Sequence, residues 1–261
     1  SDSNSSSSSS RQTTAKYSAT SITVSRKYFH LLAVLLFAPA AVWYPEMLSL
    51  SCAICLALFV LAEAIRVFRL PPIAAQLDRL VLVYIDPRQD TGVVVLTPLY
   101  LLVGCACPVW LHTCLTTTSS TSSTSSTSST SSSVCVLPGL AGVLLLGVAD
   151  TAASVVGSRY GTLKWAHTSQ KSVQGTCAAV AATCLAVALL QVMMAEDTSR
   201  GGGGGGGGAL TTQPPYAPCL FKSWPGVATA ATLMCLLEAF TDQIDNLILP
   251  LYGFAAFAVL A

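Results

Sequence analysis

Residues 134–176 read VCVLPGLAGVLLLGVADTAASVVGSRYGTLKWAHTSQKSVQGT. The apolar run over 134–157 is long enough for a helix that crosses a bilayer, which takes about 20 residues. It does not alternate apolar and polar residues as a transmembrane β-strand would. A carboxylate, Asp150, sits inside the run. Ionisable groups in membrane segments are costly and as a rule functional. On a helix, Asp150, Ser154, Gly157 and Gly161 fall on one face at steps of three or four. A basic loop follows, with Arg159, Lys164, Lys171, Ser172 and Gly175.

The rest of the chain repeats this apolar character. Of its 261 residues, 52% are hydrophobic and 10% charged, with mean hydropathy +0.63. A soluble domain carries about 25% charge. Seven apolar segments are expected to be helical, at roughly 28–44, 47–66, 93–112, 134–157, 173–195, 225–241 and 247–261. The expected fold is all-α, a polytopic transmembrane helical bundle of about seven spans. The first, sixth and seventh segments are short, which suits tilted, partial or re-entrant helices. Residues 1–24 read as a disordered Ser-rich tail and residues 25–261 as the membrane domain. Residues 116–133 (Ser/Thr-rich) and 201–208 (poly-Gly) are low-complexity insertions, expected to be flexible because they offer nothing to bury. The absence of an initial Met suggests a fragment or a processed product.

Net charge is +1, so no bulk electrostatic argument for a nucleic-acid partner applies and none is expected; the placement of charge matters instead. With a cytosolic N-terminus and alternating segments, one side holds Arg11, Lys16, Arg26, Lys27, Arg66, Arg69, Arg79, Arg88, Arg159, Lys164 and Lys171. The other holds Arg200 and Lys222. Eleven cations against two is a strong positive-inside bias. It puts the active-site loops in the cytosol and both insertions on the far side.

Four polar clusters gather on the cytosolic side. The stretch 150–176 offers cations and glycine amides suited to a polyphosphate. Its carboxylate suits a divalent cation. It lacks a Walker A pattern, so a nucleotide site there would be of a membrane-embedded kind. The GxxxG of Gly157 and Gly161 also reads as a seam for close helix approach. The second cluster, Glu238 to Asn246, places Glu238, Asp242 and Asp245 at helical spacing and suits Mg²⁺ or a general base. The third, Arg26 to His30, is an anchoring basic patch, with His30 as a hydrogen-bond donor to phosphate or a proton acceptor. The fourth pairs Glu63 with Arg66 and continues through Arg88 and Asp90, which suit phosphate or metal contact. Ten cysteines lie mostly in apolar runs and read as apolar filler, Cys52 and Cys55 included.

These blocks, taken in order, resemble the dolichol kinase family of polyprenol kinases. The likeness is carried by RKYFHLLAVLLFAP (26–39), FRLPP (68–72), DPRQDTGVVVLTPLYLLVG (86–104), ADTAASVVGSRYGTLKW (149–165), KSVQGT (171–176) and LLEAFTDQIDNLILPLYGF (236–254). The resemblance covers about residues 25–261 and matches that family's carboxy-terminal catalytic half, with its amino-terminal spans missing. It implies an enzyme of the endoplasmic reticulum membrane that moves the γ-phosphate of CTP to the terminal hydroxyl of dolichol. The product is dolichyl phosphate for protein N-glycosylation. On this likeness Asp150, Ser154, Gly157, Arg159, Gly161, Lys164, Lys171, Ser172 and Gly175 are the nucleotide-site candidates. The family usually has Gly where Ala149 stands and Glu where Gln174 stands.

The mechanism expected from these residues uses Mg²⁺ held by Asp150 with Asp245 and Asn246, and a base, Asp245 or Asp242, at the lipid hydroxyl. Rival readings are a related kinase or cytidylyltransferase acting on phytol, farnesol or diacylglycerol, and a small-molecule transporter. A transporter would line helix interiors with polar residues across the bilayer, whereas these clusters gather at one face.

Overall fold

All seven apolar segments fold as helices, because a chain in lipid must satisfy its backbone polar groups internally. A computed structural model describes residues 30–82, 94, 96–121, 135–165, 171–201, 219–241 and 245–261. The helices are α1 (His30–Trp43), α2 (Pro45–Val67), α3 (Ala74–Leu82), α4 (Thr97–Thr121), α5 (Asp150–Tyr160), α6 (Val173–Gly201), α7 (Trp224–Phe240) and α8 (Asp245–Leu260). Three stretches are long and apolar enough to cross a membrane: Pro45–Val67, Pro98–Thr118 and Val173–Glu196. α1, α7 and α8 are shorter, as their segment lengths implied.

The fourth segment is not one uniform helix. It runs as a 3-10 turn, Leu137–Leu140, then a π-helical stretch, Val143–Ala149, and then α5. It is also the most buried part of the fold, with Leu137, Leu140, Ala141 and Leu144 enclosed by α4, α6 and α8. Small residues allow that enclosure. A Cβ on Gly142 would stand 2.4 Å from the Gly104 carbonyl of α4, so the central segment depends on glycine to meet α4 there. α2 is the opposite case: it exposes Leu50, Ile54, Leu58 and Leu61, as a helix does when lipid covers most of its surface.

Two local features depart from the sequence reading. The polar connection after α2 contains the short helix α3. The expected Glu63–Arg66 pair is present at 2.6 Å, and Arg66 also faces Asp78 of α3 at 3.6 Å. The insertion at 116–133 starts as helix rather than loop, since α4 continues to Thr121. Thr116 and Thr117 donate their hydroxyls back to the carbonyls of His112 (3.1 Å) and Thr113 (2.8 Å). That back-bonding lets hydroxyl residues extend an apolar helix.

Neighbouring long elements run antiparallel. Trp110 of α4 donates to the Ser49 carbonyl near the start of α2 (3.0 Å), and Gly139 sits against His112. One end of the bundle therefore carries His30, Arg66, Gly104, Asp150, Lys171, Glu238 and Asn246. The other carries Tyr44, Cys135, Cys219, Ser223 and Ala261.

Candidate functional site at the polar end of the bundle

Asp150 lies where the π-helical stretch returns to α-helix, its amide donating to the Leu145 carbonyl. Such widened turns are rare and concentrate at functional sites. The carboxylate is half-buried, and the Ser154 hydroxyl points to its Oδ1 at 3.5 Å. The adjacent Thr151 Oγ1 is buried and has no partner among the described residues. A buried hydroxyl left in that state calls for explanation.

α5 leads to the seam with α6. A Cβ on Gly157 would lie 2.9 Å from Ser172 Oγ, and one on Gly175 would lie 2.8 Å from the Ala153 carbonyl. Gly161 is similarly closed in by Ser172. The buried Ser172 caps α6, its Oγ accepting from the Gly175 amide at 3.1 Å. The glycines and Ser172 thus bring two helices together, which is the seam reading of the GxxxG.

The basic loop closes back on itself. Lys164 and Ser172 form an antiparallel bridge, with Val173 N–H donating to Leu163 O at 2.9 Å and Trp165 N–H to Lys171 O at 3.3 Å. Gln174 secures it from α6: its Oε1 accepts from Leu163 N–H (3.2 Å) and its Nε2 donates to Thr162 Oγ1 (2.6 Å). Trp165 donates Nε1–H to Thr176 Oγ1 at 2.9 Å and packs edge-on against Phe240, ring centroids 5.2 Å apart. Trp165 and Gln174 are organising residues that motif spacing did not reveal. The available signal for Trp165 was the preference of aromatics for membrane interfaces.

Lys171 joins the two halves of the site. Its ammonium donates to the carbonyls of Glu238 and of Thr241, the latter at 2.9 Å. These are carbonyls at the C-terminal end of α7, where a cation is favoured. The contact puts the basic loop beside the start of the Asp242–Asp245 region. Asp242 and the side chain of Asp245 lie outside the described residues, as do Arg88 and Asp90. Asn246 is described: its carbonyl rests where a Cβ on Gly104 would be, beside Leu146. That anchors the start of α8 one turn from Asp150 along the central segment. His30, at the start of α1, belongs to the same end, its carbonyl 3.5 Å from a Cβ placed on Gly147. Arg159 and Lys164 are exposed there.

The structure therefore defines an all-helical membrane protein with one polar, cation-rich end. Comparison with known proteins narrows this class. A family model described as dolichol kinase matches residues 2–99. The chain is 33% identical over 226 residues to dolichol kinase EVAN of Arabidopsis thaliana, covering 87% of this chain and 33% of that protein. It is 32% identical over 232 residues to dolichol kinase of Mus musculus, covering 88% and 37%. It is 30% identical over 240 residues to a dolichol kinase of Schizosaccharomyces pombe, covering 90% and 39%. No solved structure matches. The chain belongs by sequence to the dolichol kinase family and spans about a third of the length of the curated relatives it matches.

Proposed function

We propose that the chain is the catalytic part of a CTP-dependent dolichol kinase of the endoplasmic reticulum, with its polar end in the cytosol. The observation that carries this reading is the meeting of the two polar stretches at one end. Lys171 links the loop that follows Asp150 to the end of α7, and among the described cations Arg66, Arg159 and Lys164 lie at that same end. The dolichol kinase relatives support the lipid alcohol as acceptor.

In this reading Arg159, Lys164 and Lys171 neutralise the triphosphate, and Lys171 also ties the basic loop to the end of α7. The half-buried Asp150 carboxylate, with the Ser154 hydroxyl 3.5 Å from its Oδ1, offers oxygen atoms to a divalent cation. Asp245 and Asn246 complete that set. A bound Mg²⁺ supplies neutralisation of phosphate charge. Asp245 or Asp242 takes the proton of the lipid hydroxyl as its oxygen attacks the γ-phosphorus, and CDP leaves. His30 stands at the same end as a second proton acceptor or a hydrogen-bond donor to phosphate. Phosphoryl transfer rests mainly on positioning and electrostatics, so few side chains suffice. The lipid tail stays between helices, and only its hydroxyl reaches the polar end.

The test is to incubate membranes containing the chain with γ-labelled CTP or ATP and a panel of prenols, then identify the labelled lipid. Label transferred from CTP to dolichol supports the reading. Label moving only to phytol, farnesol or diacylglycerol, or release of pyrophosphate in place of CDP, would replace it.

A further inference from the structure

The end of the bundle away from Asp150 holds a pair of thiols that the proposed reaction does not use. Cys135 Sγ lies 3.1 Å from Cys219 Sγ, although 84 positions separate them in the chain. The backbone holds them there. Val136 N–H donates to Cys219 O at 2.9 Å, and Leu137 N–H donates to Leu220 O at 3.1 Å. His112 Nε2 donates to Cys135 O at 3.1 Å, and the Cys219 thiol donates to Phe221 O at 3.3 Å. Both residues are half-buried, and no disulfide joins any of the ten cysteines in this structure.

Position gives the pair its meaning. Cys135 follows the Ser/Thr-rich insertion and Cys219 follows the poly-Gly insertion. Both begin the chain's return to the core, Cys135 into the buried 3-10 turn and Cys219 toward α7. The proposed orientation, on which this inference rests, puts this end in an oxidising lumen, where paired thiols become disulfides. A link here would brace the two longest connections of the fold against each other. It would touch none of the cytosolic residues.

We propose that Cys135 and Cys219 form a structural disulfide across the lumenal end of the bundle. A thiolate of the pair attacks the disulfide of an oxidised dithiol oxidoreductase, and the second thiolate displaces that protein from the mixed disulfide. The Cys135–Cys219 bond forms and the oxidoreductase disulfide breaks. Two electrons and two protons pass to the oxidoreductase, which leaves as a dithiol. Sulphur atoms already in contact need move only about 1 Å to reach bonding distance.

The experiment uses the full chain in microsomal membranes. Membranes are dissolved in denaturing detergent with excess N-ethylmaleimide, reduced, and labelled with a mass-tagged maleimide. Denaturation exposes every buried thiol to the first reagent, so only disulfide sulphurs take the tag. The wild-type chain is expected to gain two tags after reduction, and C135A, C219A and the double variant none. The reduced wild-type chain should also unfold at a temperature several degrees lower, with little change in the double variant. An untagged wild-type chain overturns the disulfide. A glycosylation sequon placed within residues 122–130 reports orientation independently. Its modification alongside free thiols would overturn the disulfide while leaving the proposed orientation and kinase reading in place.

Discussion

The two ends of this bundle are closed by different means. At the Asp150 end, side chains do the closing: Lys171 reaches the α7 carbonyls, Gln174 holds the basic loop, and Trp165 bridges Thr176 and Phe240. At the opposite end, backbone pairs carry the closure. Val136 and Leu137 pair with Cys219 and Leu220, and Ser223 N–H donates to the Ala261 carbonyl at 3.1 Å. Backbone pairing depends little on side-chain identity. An end held that way tolerates long low-complexity insertions, whereas an end held by particular side chains does not. α4 and α6 lead into the two insertions, and Cys135 and Cys219, which follow them, lie at the backbone-closed end.

The sharpest break in this comparison is Asp150→Asn. It keeps the shape of the side chain and removes its charge from the polar end. Turnover is expected to fall by at least about 100-fold, the scale of losing one well-placed electrostatic group, while expression and membrane insertion stay normal. A labelled-phosphate assay beside a detergent melting curve checks both. Near-normal turnover would remove the carboxylate from the proposed chemistry.

Next in size is Gly175→Leu. Its side chain must displace the Ala153 carbonyl and Ser172, so the α5–α6 seam opens at a cost of about 1–3 kcal/mol or more. The expected result is a lower melting temperature and reduced activity together. Lys171→Met follows, leaving the Glu238 and Thr241 carbonyls without their charged donor. A stability loss of about 1–2 kcal/mol is expected for a half-buried, charge-assisted pair, with a raised KM for the nucleotide. If KM moves and stability does not, Lys171 acts on phosphate more than on α7.

Much of the architecture was legible in the chain, and the reason for the rest is physical. All seven apolar segments were found because length and composition suffice in a membrane. Their burial was not legible. α2 and the stretch 137–149 are similarly apolar, yet α2 faces outward and 137–149 is enclosed. Lipid is as apolar as a protein core, so hydropathy cannot separate the two. The π-helical stretch before Asp150 leaves no sequence signature, and α3 lies in a charged connection that reads as a turn. At the site, charge clustering brought forward Asp150, Lys164 and Lys171. It could not show that Lys171 meets α7, because that contact joins residues 67 and 70 positions apart. The glycines showed the reverse problem. Their spacing suits both phosphate approach and helix packing, and only the Ser172 and Ala153 contacts display the packing.

The smallest effects belong to the backbone-closed end and test the comparison from its other side. Ser223 caps α7, its Oγ accepting from Gly226 N–H at 3.2 Å. Ser223→Ala should therefore cost about 1 kcal/mol and leave turnover unchanged, since α7 meets the site only at its far terminus. Removing residues 202–208 should do less still. The connection between α6 and α7 loses about a third of its length, which eases closure by about 0.3 kcal/mol because that cost grows only with the logarithm of length. Its ends stay fixed by the Cys219 and Leu220 backbone bonds to Val136 and Leu137. Activity within twofold of wild type and an unchanged melting temperature are the expected outcomes. A tenfold loss of activity with normal stability would mean that the poly-Gly segment communicates with the Asp150 end. The division into a side-chain-closed Asp150 end and a tolerant backbone-closed end would then fail.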